Sequence, residues 1–302
     1  MTEVAVRHEP AMLAAQRLRV GRSLVKLCDR SLGAVSPRVA EAIRYSLLGE
    51  GKRMRGTLFL SAFEAAGGSG EAADLAAAIE VVHAYSLVHD DLPCMDDDDV
   101  RRGRPTVHRI YGVATATAAG LTMVPLAARC AAESARALGL DDEAVGAIVV
   151  ELMQASGAGG MIGGQLLDLE GEGRPLALAE LERIHRAKTG ALITAAATLG
   201  GRAASASQVR LEALAQYGAA VGLAFQIADD VLDVTATTDQ LGKTAGRDLA
   251  LQKSTYPALL GVEGAKRRAE ALIDEGCRAL DAVGLLTPSL AQIARFTVER
   301  TS

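Results

Sequence analysis

Apolar residues recur at helical spacing along most of the chain, and the breaks between them carry turn chemistry. Leu24 to Leu48 reads as two amphipathic helices parted at Ser36-Pro37, where serine suits an N-cap and proline a first helical turn. A basic, glycine-flanked turn, Gly49 to Gly56, precedes an apolar run from Leu58 to Ala66. Gly67 to Gly70 is a turn and Glu71 to Val88 a long helix. Asp141 to Ser156 forms another, with Asp141 or Asp142 as its cap. After the turn Glu170 to Pro175, Leu178 to Thr198 is helical. The apolar run from Gly222 ends in acids at Asp229 to Asp233, and Thr235 to Asp248 is polar enough for a loop that closes on a ligand. Ala265 to Leu280 and Ser289 to Arg300 are amphipathic helices.

Composition narrows this to an all-α fold. Of 302 residues, 49% are hydrophobic but only 3% aromatic, with no tryptophan, so the core is built from Ala, Leu, Val and Ile in closely packed helices. No stretch reads as a linker, and residues 1–302 are expected to form one large helical domain. The net charge of −5, with basic residues in short clusters, argues against a nucleic-acid partner. Cys28, Cys94, Cys130 and Cys277 are isolated and lack metal-ligand spacing, which fits a reducing, cytoplasmic setting. The charges in Met1 to Pro10 do not fit a secretory signal. Ile110 to Ala128 carries no charge and approaches the ~20 residues of a membrane span. Its Ala, Thr and Gly content and Pro125 favour a buried core helix, so no membrane span is expected.

The chemistry concentrates in His89 to Gly103, where six aspartates precede two arginines. Crowded carboxylates repel, and at the end of a partly buried helix they persist best around a cation. Leu92-Pro93 disfavours continued helix, so the chain bends to bring Asp96 round towards Asp90. Downstream, Asp229 and Asp233 are four apart and share one helix face, setting two oxygen donors side by side for a hard divalent ion. Oxygen donors without histidine or cysteine select magnesium, manganese or calcium over zinc. Neither cluster matches the calcium loop of an EF-hand. Magnesium usually completes its shell with phosphate oxygens, and Lys52, Arg55, Arg101, Arg102, Lys188, Lys243 and Lys253 supply the charge that a diphosphate requires.

Three segments admit two readings each. The Gly49 to Gly56 turn is an anion site or a solvated basic turn. Gly157 to Asp168 leaves room for a ligand or for a neighbouring helix, with Gln165 and Asp168 aimed inward. Lys188 and Thr189, in an otherwise small and apolar helix, are surface residues or phosphate ligands, and Gly190 hints at a local break. His83 and His89 read as hydrogen-bonded core residues, and no serine or cysteine nucleophile arrangement is present. Metal-assisted departure of diphosphate is the chemistry that remains.

At these residues the chain resembles the trans-isoprenyl diphosphate synthases of the polyprenyl synthetase family, particularly bacterial farnesyl and plant-type geranylgeranyl diphosphate synthases. Asp90-Asp91-x-x-x-x-Asp96 is similar to that family's first aspartate-rich motif with two inserted residues, and Asp229-Asp230-x-x-Asp233 to its second. The resemblance implies a helical bundle around a central cavity, usually a homodimer, and magnesium as cofactor, three ions with diphosphate bound and manganese as a substitute. Asp90 and Asp96, supported by Asp91, would hold two ions, and Asp229 the third, assisted by Asp233 and Asp230. Arg101, Lys188, Thr189, Gln226, Lys243 and Lys253 match positions that bind the allylic diphosphate. Lys52, Arg55, His83 and Arg102 match those that bind isopentenyl diphosphate. Thr189 and Gln226 would also turn oxygen dipoles on the developing carbocation.

The implied activity is head-to-tail joining of isopentenyl diphosphate to dimethylallyl and geranyl diphosphates, giving mainly farnesyl diphosphate. Tyr85 lies just over one helical turn before Asp90 and would floor the cavity at fifteen carbons, whereas Ser86 beside it is too small to close the channel. A geranylgeranyl diphosphate synthase is one alternative, and a non-catalytic partner subunit of a prenyl synthase is another. One position departs from the family pattern: Leu121 follows Gly120 where relatives usually carry an acid, which would alter packing near the site.

Overall fold

The computed structural model describes residues 11–235 and 254–299. They are helical apart from connections and one short hairpin. In order come α1 (Ala11–Ser31), α2 (Pro37–Leu47), α3 (Met54–Ala65), α4 (Ala73–Asp90), the hairpin β1 (Val100–Arg101) and β2 (Arg104–Pro105), α5 (Val107–Tyr111) and α6 (Val113–Ala137). Then follow α7 (Asp142–Ser156), α8 (Met161–Gly171), α9 (Leu178–His185), a π-helical turn (Arg186–Gly190), α10 (Ala191–Ala203) and α11 (Gln208–Thr235). Beyond residue 253 lie α12 (Tyr256–Leu260), α13 (Val262–Asp281) and α14 (Pro288–Glu299).

The helices buried on all sides form the centre. In α3, Gly56 to Phe63 are all buried, and in α4 so is every residue from Leu75 to Val82. Such helices lack a polar stripe because neighbours cover every face. α10 packs between α3 and α11, and α4 packs on α6, α1 and α3. Alanine at 76, 77 and 78 keeps α4 thin enough for close approach, and Leu58, Leu60, Leu75 and Ile79 fill the space between. Each such buried leucine or isoleucine contributes about 1.5–3 kcal/mol. α13 is amphipathic and lies along α11, where the buried Tyr217 hydroxyl donates to Leu290 O at 2.6 Å.

Most boundaries follow the sequence pattern, and a few do not. Asp141 caps α7, its carboxylate accepting from Ala144 N at 2.8 Å. Ser36 does precede α2, with Pro37 in the first turn, but its side chain makes no capping bond. The first helix is already formed at Ala11, well before Leu24; its first turns bury only single residues such as Leu13 and Gln16, which leaves little apolar pattern to read. The uncharged segment forms α6, which continues through Pro125 and buries Ala116, Ala119, Met123 and Leu126 against the bundle. By length and composition Val113–Ala137 and Asp142–Gly171 are apolar enough to cross a membrane, but α6 belongs to the common core, packed on α4, α2 and α7.

Candidate active site

α4 stops at Asp90 because Leu92 and Pro93 leave the helix, and the chain then folds back on itself. Asp96 N donates to Asp90 O at 2.8 Å and Asp97 N to Leu92 O at 3.2 Å, returning the Asp96 side chain towards the helix end. Asp91 is buried and bridged to Arg101, whose Nε lies 2.6 Å from Asp91 Oδ1 while its guanidinium also reaches Asp98 at 3.2 Å. The hairpin presents Arg101 this way because Arg102 and Gly103 take left-handed conformations at its turn. Burial raises the Asp90 carboxyl to about 6, aided by the Asp96 and Asp91 charges and opposed by Lys188 and Arg101. Burial likewise raises Asp91 to about 6 against the pull of Arg101. For both carboxyls burial outweighs the cations beside them, Lys188 and Arg101 for Asp90 and the bridging Arg101 for Asp91.

The basic turn before α3 is built, not merely solvated. Arg53 adopts a left-handed conformation and donates to Leu47 O at 2.8 Å and to Gly49 O, locking the turn from inside. Arg102 reaches over from the hairpin to Glu50 O at 2.9 Å. Lys52 lies on the exposed side, 5.5 Å over the Phe296 ring. Arg55 points inward, its Nε buried without a hydrogen-bond partner, and burial with the nearby Arg102 lowers it to about 10, partly offset by Glu80. Glu80 is itself buried and accepts from Gly56 N at 2.9 Å. Burial, then Arg55, Arg102 and Arg101, hold His83 well below its ordinary 6.5, so its imidazole is neutral at physiological pH.

The third wall is the π turn. Its extra residue bulges Lys188 and Thr189 out of the α9–α10 line, as such turns do at functional positions. Lys188 Nζ meets Asp168 Oδ2 of α8 at 2.6 Å, and the Thr189 hydroxyl donates to Gln226 Oε1 of α11 at 2.6 Å. Two glycines permit this approach. A Cβ on Gly164 would stand 2.1 Å from Lys188 N, and one on Gly222 2.8 Å from Gly190 Cα. Gln165 Nε2 of α8 donates to Asp96 Oδ1 at 3.2 Å. Three separate polar contacts thus follow one another from the first acid cluster, across α8 and the π turn, to Gln226, one turn before Asp229. The charge of Asp229 is felt by Arg55 from across the site.

A family model for polyprenyl synthetases matches residues 36–282. The chain belongs to the polyprenyl synthetase family. Among its relatives, the farnesyl diphosphate synthase of Escherichia coli (strain K12) is 45% identical over 267 residues, covering 87% of this chain and 89% of that protein. A chloroplastic geranylgeranyl pyrophosphate synthase of Capsicum annuum is 41% identical over 282 residues, 92% of this chain and 76% of the relative. The structure of a Helicobacter pylori geranyltransferase complexed with magnesium and isoprenyl diphosphate superposes with a TM-score of 0.79 at 31% identity, covering 96% of this chain and 97% of that one.

Several site residues of this synthetase stand differently from the sequence expectation. Leu121 does not approach the site: it is 62% exposed on the outer face of α6. Its neighbour Gly120 is the inward residue, flush against His89, whose Nε2 would lie 2.1 Å from a Cβ there. Tyr85 is buried and packs edge-on against that same His89, four residues on, with ring centroids 4.9 Å apart. Ser86 turns back to His83 O at 2.9 Å. Asp230 is buried, and its Oδ2 accepts from Tyr256 N at 3.0 Å. Lys243 and Lys253 lie outside the described residues. Arg53, one of the three cations of the Gly49 to Gly56 turn, braces that turn from inside. Glu80, His185 and Tyr256 have no part in the sequence expectation; a lone glutamate inside the apolar run Ala76 to Val82 is the one signal available.

The donors fit magnesium. Among the described residues no three acid, histidine or cysteine side chains converge into a cage that could hold an ion unaided. Magnesium does not demand one, since it keeps waters and takes phosphate oxygens beside one or two carboxylates. The Asp90 carboxyl raised to about 6 is the group whose charge a cation would relieve.

Proposed function

We propose that this protein is a magnesium-dependent short-chain prenyltransferase that joins isopentenyl diphosphate to dimethylallyl and geranyl diphosphates and releases mainly farnesyl diphosphate. The observation that carries the reading is the set of contacts Asp96–Gln165, Asp168–Lys188 and Thr189–Gln226, which places the residues suited to an allylic diphosphate between the first acid cluster and the helix that bears the second. Asp90, Asp91 and Asp96 on one side and Asp229 and Asp233 on the other would hold three magnesium ions, with manganese as a substitute. Bound there, magnesium would supply neutralisation of the charge on the departing diphosphate.

This chain's own residues then divide the work. Arg101 and Lys188, with Lys243 and Lys253, bind the allylic diphosphate, while Lys52, Arg55, Arg102 and the neutral His83 bind isopentenyl diphosphate. The allylic C1–O bond breaks with its electron pair leaving on the diphosphate. The isopentenyl double bond attacks C1, and the proton lost from its C2 goes to the released diphosphate. Thr189 and Gln226 oppose the transient positive charge with oxygen dipoles. The whole chain acts as one domain.

The test is incubation with magnesium, labelled isopentenyl diphosphate and, separately, dimethylallyl, geranyl or farnesyl diphosphate, with sizing of the dephosphorylated products. We expect a fifteen-carbon alcohol from the first two starters and no extension of farnesyl diphosphate, with Tyr85→Ala moving the product to twenty carbons or more. A twenty-carbon product from the unmodified protein would make it a geranylgeranyl diphosphate synthase, as the Capsicum relative is named. No incorporation from any starter by folded protein would favour the partner-subunit reading.

We also propose a homodimer, supported by the large apolar side chains that α6 and α7 leave exposed, Leu121 and Val150 among them. Sedimentation at micromolar concentration should give twice the 31.3 kDa chain mass. Leu121→Arg should shift it towards one, and a monomeric unmodified protein would end the idea.

A further inference from the structure

Three segments of the proposed site meet at one buried contact that lies behind it. His185 is the last residue of α9, immediately before the π turn that carries Lys188 and Thr189. Asp230 follows Asp229 in α11. Tyr256 opens α12, three residues after Lys253, and Thr255 caps that helix through Ala258 N. All three side chains are buried, at 8%, 5% and 0% exposure. Tyr256 N donates to Asp230 Oδ2 at 3.0 Å, and His185 Nε2 stands 3.6 Å from the same oxygen. The His185 and Tyr256 rings stack, 5.8 Å apart and 18° from parallel. Glu182, one turn before Arg186, is bridged to Arg186 and to Arg268 of α13, both at 3.2 Å, which fixes α9 to the helix that follows α12.

We propose that Asp230, although it sits inside the second acid cluster, is a positioning residue and not a metal ligand. Its carboxylate ties the residue that opens α12 to the metal-bearing turn of α11. His185, whose buried Nε2 makes no hydrogen bond, joins the root of the π turn to the same contact by stacking on Tyr256. The geometry separates it from its neighbours. Asp229 and Asp233 share one face of α11, and Asp230 is rotated about 100° from Asp229, as successive residues on a helix are. One of its two oxygens already serves a buried backbone N–H, which would be left without a partner if the carboxylate swung to an ion. The tether thus sets the spacing between Asp229, Lys188 with Thr189, and the strand of chain entering α12, and the proposal rests on the prenyltransferase reading only for what that spacing serves.

The two roles part on the isosteric substitution. Asp230→Asn keeps an oxygen to accept from Tyr256 N but gives up the charge a metal needs, whereas Asp230→Ala gives up both. We expect Asp230→Asn to keep the magnesium concentration for half-maximal rate within about twofold of the unmodified protein and kcat within about tenfold. Asp230→Ala should lower kcat by roughly 10²-fold and raise KM for geranyl diphosphate, again with little change in magnesium requirement; a 1 Å misplacement of reacting groups costs about that much. Asp229→Asn is the ligand control and should raise the magnesium requirement at least tenfold. Hydrogen exchange of the Tyr256 amide gives a readout independent of turnover: protection should persist in Asp230→Asn and be lost in Asp230→Ala. His185→Asn, which leaves the Tyr256 bond in place, guards against a misfolded alanine variant and should weaken geranyl diphosphate binding without altering magnesium dependence. If Asp230→Asn raises the magnesium requirement as Asp229→Asn does, or if Tyr256 exchanges equally fast in all proteins, the tether is wrong. If the unmodified protein turns nothing over, the function reading fails, and the exchange measurement still decides the tether.

Discussion

Asp90→Ala should reduce kcat by about 10³-fold or more at saturating magnesium while leaving the folded protein intact. A carboxylate that helps hold the ions opposite a leaving diphosphate supports several kcal/mol of transition-state charge, and every 1.36 kcal/mol is tenfold in rate. Stability should move the other way. The Asp90 carboxyl is raised from 3.8 to about 6 in the folded chain, so the folded state holds its proton more tightly than the unfolded state. The linkage sign is then clear: stability falls as pH rises from near 3.8 through about 6, and at pH 7.5 the metal-free protein bears the full penalty. Alanine removes that penalty and the repulsion of Asp91 and Asp96. The metal-free variant should therefore melt at or above the temperature of the unmodified protein at pH 7.5, with the advantage vanishing near pH 4. Magnesium with a non-hydrolysable diphosphate should raise the melting temperature of the unmodified protein much more than that of the variant. Turnover within tenfold of normal would remove Asp90 from the metal site.

Gly164→Ala should lose both stability and activity, against the usual helix preference. In an exposed helix interior alanine is favoured over glycine by about 1 kcal/mol. At Gly164 the added methyl would meet Lys188 N at 2.1 Å, Lys188 Cα at 2.4 Å and the Ala187 carbonyl carbon at 2.7 Å, all backbone atoms that cannot rotate aside. Overpacking of this kind costs about 1–3 kcal/mol. The relief lies in pushing the π turn away from α8, which breaks the Lys188–Asp168 and Thr189–Gln226 contacts together. We expect kcat to fall about 10²-fold, the scale of a 1 Å displacement at a reacting centre. Gly146→Ala is the comparison, since that exposed glycine of α7 has no atom within 4 Å of the added methyl. It should gain stability and keep its activity. Equal behaviour of the two variants in urea unfolding would show that the π turn does not press on Gly164.

The two acid clusters were legible in the chain because electrostatics makes them improbable without a reason. The bend at Leu92-Pro93, the cap at Asp141 and the small-residue core followed from local chemistry in the same way, as did the family resemblance that the 36–282 match bears out. Each depends on residues close together in sequence, and the forces involved act over a few ångströms along one segment.

Pairings between distant segments were not readable. Gly164 read as room for a ligand or for a helix, and the structure decides for the backbone of Lys188. Leu121 read as a change near the site, and it faces outward because its neighbour Gly120 takes the inward position against His89. Asp230 read as one more acid in a row, and its helix phase turns it towards a backbone amide 26 residues ahead. The sequence by itself determined which residues bear charge and which segments are helical; only the tertiary structure decided which partner each charge meets. Helical phase is set within a segment, but the identity of a neighbour is set by how segments of unequal thickness pack, and that depends on the whole core at once.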